Sequence, residues 1–493
     1  MQWGSPASQA STLPRMALTA TTGGKAGTQG AIAQALIAPF VQNPRVGVFD
    51  NFGNLYYSST GNCTIRVYNT TSGTVSIVVG GVANSATGSG VSSGGTTPAD
   101  GVGTSAKLGT GVAAMAISAD QGTLYWAEST IVYSVRQVNL STGNTSNFVG
   151  TGTATYVEGT GTTAGFLAPT AIAIDYARGL MYVGDTGRLR KVVLATRATA
   201  LVTGTGTAGH VDGPPGTCTI NPANAIAVQP VTGNVYVADV SGYNIRVVTP
   251  GGVCSTLAGS PAGTGPTLSG AVDGLGTNAR INYPRGIIFD NFGSLYITEM
   301  QNNKIRKITT CGQVSTLTGA PNVALLTNMN AGNGGPLSGV GMCYPWGLAL
   351  DARSNTLYVF EAATACAQPV TGATGAVRAI TLPSPTLTPS CDGTWHSIQQ
   401  TYSGGGGSQL VRSFMDGALL SSQVATPDVT GSNSTPIFIG ASGESSRQSY
   451  FSGAVSDVRV FGRELTRFSF VSGLDFGRAH LAGLFSPGRA PTV

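Results

Sequence analysis

One short pattern recurs six times along the chain: an apolar residue, a tyrosine and an apolar or aromatic residue, with an Ile/Leu/Val-Arg pair following. The copies begin at Leu55, Leu124, Met181, Val235, Leu295 and Leu357, and their arginines are Arg66, Arg136, Arg190, Arg246, Arg306 and Arg378. Spacing from arginine to arginine runs from 54 to 72 residues. A unit of that length recurring at this rate marks a repeat architecture, in which each copy buries its apolar faces against its neighbours.

Each unit reads as four strands. The first is small and apolar, as in Ala171-Ile172-Ala173-Ile174 and Gly347-Leu348-Ala349-Leu350, which suits the crowded centre of a ring. A turn opened by Asp50, Asp120, Asp175, Asp290 or Asp351 follows, because aspartate bonds its own turn backbone. The second strand is the Leu-Tyr-Val element, apolar on both faces and therefore sandwiched between neighbouring sheets. The third carries the arginine. Asp185, Asp239 and Glu299 end the second strand opposite Arg190, Arg246 and Arg306, which predicts structural cross-strand pairs; Glu128 and Glu361 are similarly placed. A phrase of the form Asp/Glu-Gly-x-Gly-Thr-x-Ala-x-apolar links the units, at Asp100–Leu108, Glu158–Phe166 and Asp273–Ile281, with a looser copy at Asp212–Ile220. The sixth unit lacks a fourth strand of its own. Met16–Gly24 reads as that strand, closing the ring from the N-terminus and removing two open edges.

Pro284 to Ile308 resembles an NHL repeat, and Asp273-Gly274-Leu275-Gly276-Thr277 its usual inter-blade phrase. The resemblance implies a six-bladed β-propeller. Beyond the Pro-rich 383–390, the series Trp395-His396, Phe414-Met415-Asp416-Gly417, Ile437-Phe438-Ile439-Gly440 and Phe451 to Leu465 resembles the second half of a laminin-G-like, concanavalin-A-like jelly roll. The chain is thus expected to be all-β: a tail (1–14), the propeller (15–382), a linker (383–390), a partial laminin-G-like sandwich (391–470) and a C-terminal tail (471–493).

Charged residues make up only 10% of the chain, against about 25% in an average globular protein, and no Lys/Arg cluster forms the footprint of a nucleic-acid binder. No apolar run is long enough to span a membrane as a helix. The first residues carry no recognisable secretory leader, yet the low charge and the pairing of modules resemble extracellular mosaic proteins. Seven cysteines include no C-x-x-C pair; Cys343 and Cys366 fall on loops at one face of the sixth blade and are expected to form a disulfide. Five N-x-S/T sequons, at Asn62, Asn69, Asn139, Asn144 and Asn433, are N-glycosylation candidates, although Asn69 and Asn139 also read as turn-opening residues.

Only three histidines occur, His210, His396 and His480, so a multi-histidine metal site cannot be assembled in the propeller. No catalytic residue and no cofactor is expected. The reading is a non-catalytic extracellular or cell-surface protein contacting proteins or glycans, with self-assembly through the C-terminal module into a surface layer or filament. The alternative is a propeller lyase or hydrolase with a calcium site, built from Asp100, Glu158, Asp212 and Asp273 should those loops turn inward.

Overall fold

The computed structural model describes residues 43–80, 98–109, 111–261, 269–291, 293–309, 312–318, 342–361 and 375–382, together with five strands further on. The chain divides into two compact units, Met1–Thr394 and Trp395–Val493.

The first unit is a six-bladed β-propeller, each blade an antiparallel meander. Blade 1 comprises Pro44–Phe49, Asn54–Ser59, Thr64–Asn69 and Val75–Val79. The inner strands of blades 2 to 6 are Val112–Ile117, Pro169–Asp175, Ala223–Val228, Pro284–Phe289 and Pro345–Asp351. Each inner strand packs on the next around the ring, and the sixth packs on the first. Six apolar clusters fill the six interfaces between blades. The one that closes the ring joins Leu55 and Tyr57 of blade 1 to Ala349, Tyr358 and Phe360 of blade 6. Burying each such side chain contributes about 1.5–3 kcal/mol, so the interfaces hold the ring together. Blade 6 has three strands among the described residues, Pro345–Asp351, Thr356–Glu361 and Ala376–Thr381; the closing strand expected at Met16–Gly24 lies outside them.

Turn acids act as their sequence positions suggest. Asp50 Oδ1 accepts from the backbone N–H of Phe52 (2.9 Å) and of Asn54 (2.8 Å), and Asp290 Oδ1 accepts from Ser294 N–H (2.8 Å).

Each inner strand carries a register shift near its start, at Pro44/Gly47, Val112/Ala114, Pro169/Ala171, Ala223/Ala225, Pro284/Ile287 and Pro345/Leu348. A bulge at that point re-aims the residue it contains. Two glycines then allow unusually close approach of neighbouring strands. A side chain at Gly286 would meet Trp346 O at 2.7 Å, and one at Gly347 would collide with Arg45 O.

In the second unit, Ile398–Ser403, Gln409–Met415 and Ala418–Ala425 form an antiparallel sheet, and Ile437–Ile439 pairs in parallel with Phe468–Phe470. Trp395, His396 and Asn433 lie outside the described residues.

Candidate functional site

The repeated arginine is the first place to look for chemistry, because Arg190, Arg246 and Arg306 are fully buried. Each is opposite the middle of the second strand: Arg190 pairs in register with Val183, Arg246 with Val237 and Arg306 with Ile297. The acid two residues further along that strand is therefore a diagonal neighbour on the same face. Distances to it are 3.5 Å for Arg190–Asp185, 3.9 Å for Arg246–Asp239 and 2.8 Å for Arg306–Glu299. Arg136 lies 3.4 Å from Glu128, and Arg378 3.0 Å from Glu361.

A second acid completes four of these sites. Arg136 bonds Asp100 at 2.9 Å, Arg190 bonds Glu158 at 2.8 Å, and Arg246 and Arg306 bond Asp212 and Asp273 at 2.6 Å each. These acids open the inter-blade phrase, which pairs with the outermost strand of the blade it leads into, as Gly101 with Thr145 and Gly274 with Val314. Each arginine also donates to backbone carbonyls of the phrase; Arg306 bonds Val272 O (2.9 Å) and Arg280 O (3.2 Å). One guanidinium thus ties the connection to the blade through several charge-assisted bonds. Blade 1 differs: its second strand ends in Ser58-Ser59, and Arg66 Nε donates to Thr64 Oγ1 at 3.2 Å.

The electrostatics follow from depth. Burial raises the carboxyls of Glu128, Asp185, Asp239 and Glu361 against the pull of their arginines, and carries Glu299 up to about 7. For Glu158 and Asp273 partial burial also pushes upward, but hydrogen bonds and the facing arginine outweigh it and hold both below the usual range. A calcium site needed the phrase acids to turn inward. They sit instead at the outer edge of the blades, bound to arginine, and no group of three or more His, Cys, Asp or Glu able to hold a metal is found among the described residues.

A disulfide joins Cys218 to Cys254, which the sequence reading missed. A signal was present: Cys218 stands in the looser phrase where Ala106, Ala164 and Ala279 stand in the others, and that alanine is buried. The bond staples the connection to the outer strand of blade 4. Cys343 is also disulfide-bonded; Cys366, its expected partner, lies outside the described residues. Among the sequons, Asn69 and Asn139 open their turns with side chains that accept backbone N–H bonds, from Ser72 (2.8 Å) and Thr142 (3.0 Å). Asn144 is exposed, and Asn62 ends a short 3₁₀ turn.

A second group of arginines lies where the inner strands begin. Arg45, Arg285 and Trp346 occupy the bulge position of blades 1, 5 and 6, where blades 2, 3 and 4 have Ala113, Thr170 and Asn224. The Arg45 guanidinium sits 4.6 Å from the centre of the Trp346 ring and that of Arg285 4.4 Å from it. Arg285 also donates to Asn224 Oδ1 at 2.5 Å. Neither arginine has an ion pair among the described residues, and the Nε of each is buried without a hydrogen-bond partner. Beside Arg45, between blades 1 and 2, is a cavity of about 370 Å³.

Comparisons with known proteins agree with this architecture. A family model described as the Teneurin NHL domain matches residues 150–368, and one described as the concanavalin A-like lectin/glucanases superfamily matches 352–468. The chain is therefore an NHL-repeat six-bladed β-propeller followed by a laminin-G-like, concanavalin-A-like domain. The second match begins within blade 6, whose strands Thr356–Glu361 and Ala376–Thr381 it includes. Among curated relatives, Teneurin-3 of Danio rerio is 26% identical over 208 residues, and Teneurin-4 of Mus musculus 26% over 206. Each alignment covers 40% of this chain and only 7% of the relative's length. A solved structure from Bacteroides thetaiotaomicron, titled a protein of unknown function, superposes with a TM-score of 0.50 at 17% identity, covering 72% of this chain and 73% of that one; the likeness is one of fold alone.

Proposed function

We propose that this is a non-catalytic binding protein of the extracellular space or cell surface, whose propeller and laminin-G-like module contact proteins or glycans. The observation that carries the reading is the placement of the buried charge. In blades 2 to 5 the deep arginines and acids are consumed in holding inter-blade connections to their blades, a structural use. The Cys218–Cys254 disulfide favours an oxidising compartment, in keeping with the extracellular placement. Similarity of residues 150–368 to the Teneurin NHL domain and of 352–468 to lectin-like domains supports binding over turnover.

The finer part of the proposal is assembly through the C-terminal module into a surface layer or filament. Light scattering on the full chain beside a chain ending at Leu382 tests it. Self-association of the full chain with a monomeric truncation is the expected result; two monomers would remove assembly from the proposal. Retention of the full chain on a glycan or cell-surface array, with loss in one module's absence, tests the binding role itself.

A further inference from the structure

The sequons are motifs that the binding role leaves unused, and the structure separates the four that lie in the propeller. An N-glycan is bulky and hydrated, so the asparagine that carries it must face solvent in the folded chain with its Nδ2 free for the sugar. Asn62 ends a 3₁₀ turn, and the next two residues of its sequon, Cys63 and Thr64, are buried. Asn144 is exposed but belongs to the outermost strand of blade 2, Asn144–Val149, where it pairs with Val102 of the inter-blade phrase. Thr145 of that sequon is buried, and Ser146 Oγ accepts from Gln137 Nε2 at 3.2 Å.

Asn69 and Asn139 open equivalent turns, between the third and fourth strands of blades 1 and 2, and one cross-strand residue sets them apart. Asn54 faces Asn69, and its Oδ1 accepts from Asn69 Nδ2 at 2.8 Å. Thr123 faces Asn139, and Asn139 Nδ2 has no hydrogen-bond partner among the described residues. Asn69 is half-buried, whereas Asn139 is exposed. Asn139 Oδ1 accepts from the backbone N–H groups of Ser141 (3.1 Å) and Thr142 (3.0 Å), which identifies the other amide atom as the nitrogen and aims it away from the turn. Ser141 Oγ, the hydroxyl of the sequon, also donates to Oδ1, at 2.7 Å. The oxygen holds the turn and the nitrogen is left over, so a sugar on Nδ2 removes none of these bonds. At Asn69 the same sugar would be set against Asn54.

We propose that Asn139 carries an N-linked glycan. Transfer joins Nδ2 to the anomeric carbon of a sugar held on a lipid diphosphate; the bond from that carbon to the phosphate oxygen breaks, the diphosphate leaves with the electron pair, and the amide gives up one proton. A transferase of the secretory route supplies the catalysis. The inference rests on the extracellular placement proposed above. Val102 is exposed at the same edge, and a side chain at Gly143 of the turn would meet it at 3.5 Å. A glycan on Asn139 keeps this apolar edge solvated and leaves the rim of blade 2 outside any assembly contact.

Peptide mapping of the full chain isolated from its own cells tests it. Amidase release of N-glycans in heavy-oxygen water turns each glycosylated asparagine into a labelled aspartate. Label is expected at position 139, several-fold above positions 62, 69 and 144. Ser141→Ala should abolish it and Ser141→Thr, which keeps the sequon, should retain it. An unlabelled Asn139 overturns the proposal, as does label that persists in Ser141→Ala, because sequon-directed transfer would then not be its source. Label at another sequon with Asn139 bare removes this site and leaves the extracellular placement standing; an unlabelled chain whose Cys218 and Cys254 are free thiols removes both.

Discussion

Arg306, on the third strand of blade 5, and Arg45, on the inner strand of blade 1, carry the same charge, yet they are treated in opposite ways. Arg306 is fully buried between Glu299 at 2.8 Å and Asp273 at 2.6 Å, its terminal nitrogens also donating to two carbonyls while its Nε is buried without a partner. Arg45 is half-buried, its guanidinium lies against an aromatic ring and a like charge, and the residue is among those lining the cavity between blades 1 and 2. A buried cation surrounded by acids is a fastener, because removing it leaves carboxylates without compensation. A cation left without an acid adds little to the fold. The contrast separates scaffold from candidate site without any reference to relatives.

The largest effect that could break this contrast is at the fastener. Arg306→Leu would strand Glu299, and the expected loss is about 3–5 kcal/mol of unfolding free energy by urea titration. A loss below about 1 kcal/mol would show that the clamp is not what holds the phrase at Asp273 to its blade. Next comes the covalent version of the same connection in blade 4. Replacing Cys218 by Ala and Cys254 by Thr reproduces the pair found in blade 3, Ala164 and Thr199, and should cost about 2–4 kcal/mol. Reduction should lower the midpoint of the parent protein by more than it lowers the variant's, because among the described residues the variant retains only the disulfide at Cys343.

The propeller was legible because its determinants repeat: the Leu-Tyr-Val strand, the turn acids and the arginine recur at equivalent positions, so six weak signals reinforce one another. The diagonal acids Asp185, Asp239 and Glu299 were legible for the same reason, lying five to seven residues from their arginines. The outer acids were not. Glu158 and Arg190 stand 32 residues apart, and nothing local shows that the phrase folds back onto the outermost strand of the next blade. Arg45, Trp346 and Arg285 were illegible on different grounds. The bulge position holds a different residue type in most blades, so no repeat marks it, and residues 45 and 346 meet only because the ring closes.

A pH titration sharpens the electrostatic half of the contrast. Burial has raised Glu299 to about 7 in the folded protein, above the ordinary glutamate value of 4.5 that applies when unfolded. Between those values the folded state holds a proton that the unfolded state has released. The contribution of Glu299 is therefore full below about pH 4.5 and declines as pH rises towards about 7. The decline is on the order of 2 kcal/mol, and Glu299→Gln should abolish it. Stability that rises across that window in the parent relative to Glu299→Gln would mean that Arg306 holds the carboxylate charged, and that the fastener is a full ion pair.

The smallest expected effect is the most discriminating. Arg45→Gln removes a charge with no acid partner and relieves its repulsion with Arg285, while forfeiting the stacking on Trp346. Cation–π contact at a partly exposed site is worth about 0.5–1 kcal/mol, comparable to the repulsion removed, so the unfolding free energy of the unliganded protein should change by less than about 0.5 kcal/mol. The same substitution made at Arg306 is expected to cost several times as much, although both residues are arginines on propeller strands. A large loss at Arg45 would mean that its contact with Trp346 is what seals the seam between blades 6 and 1, and it would move Arg45 from the candidate site into the scaffold. A near-zero change would leave a cation that the fold does not need for stability, positioned where the six inner strands begin.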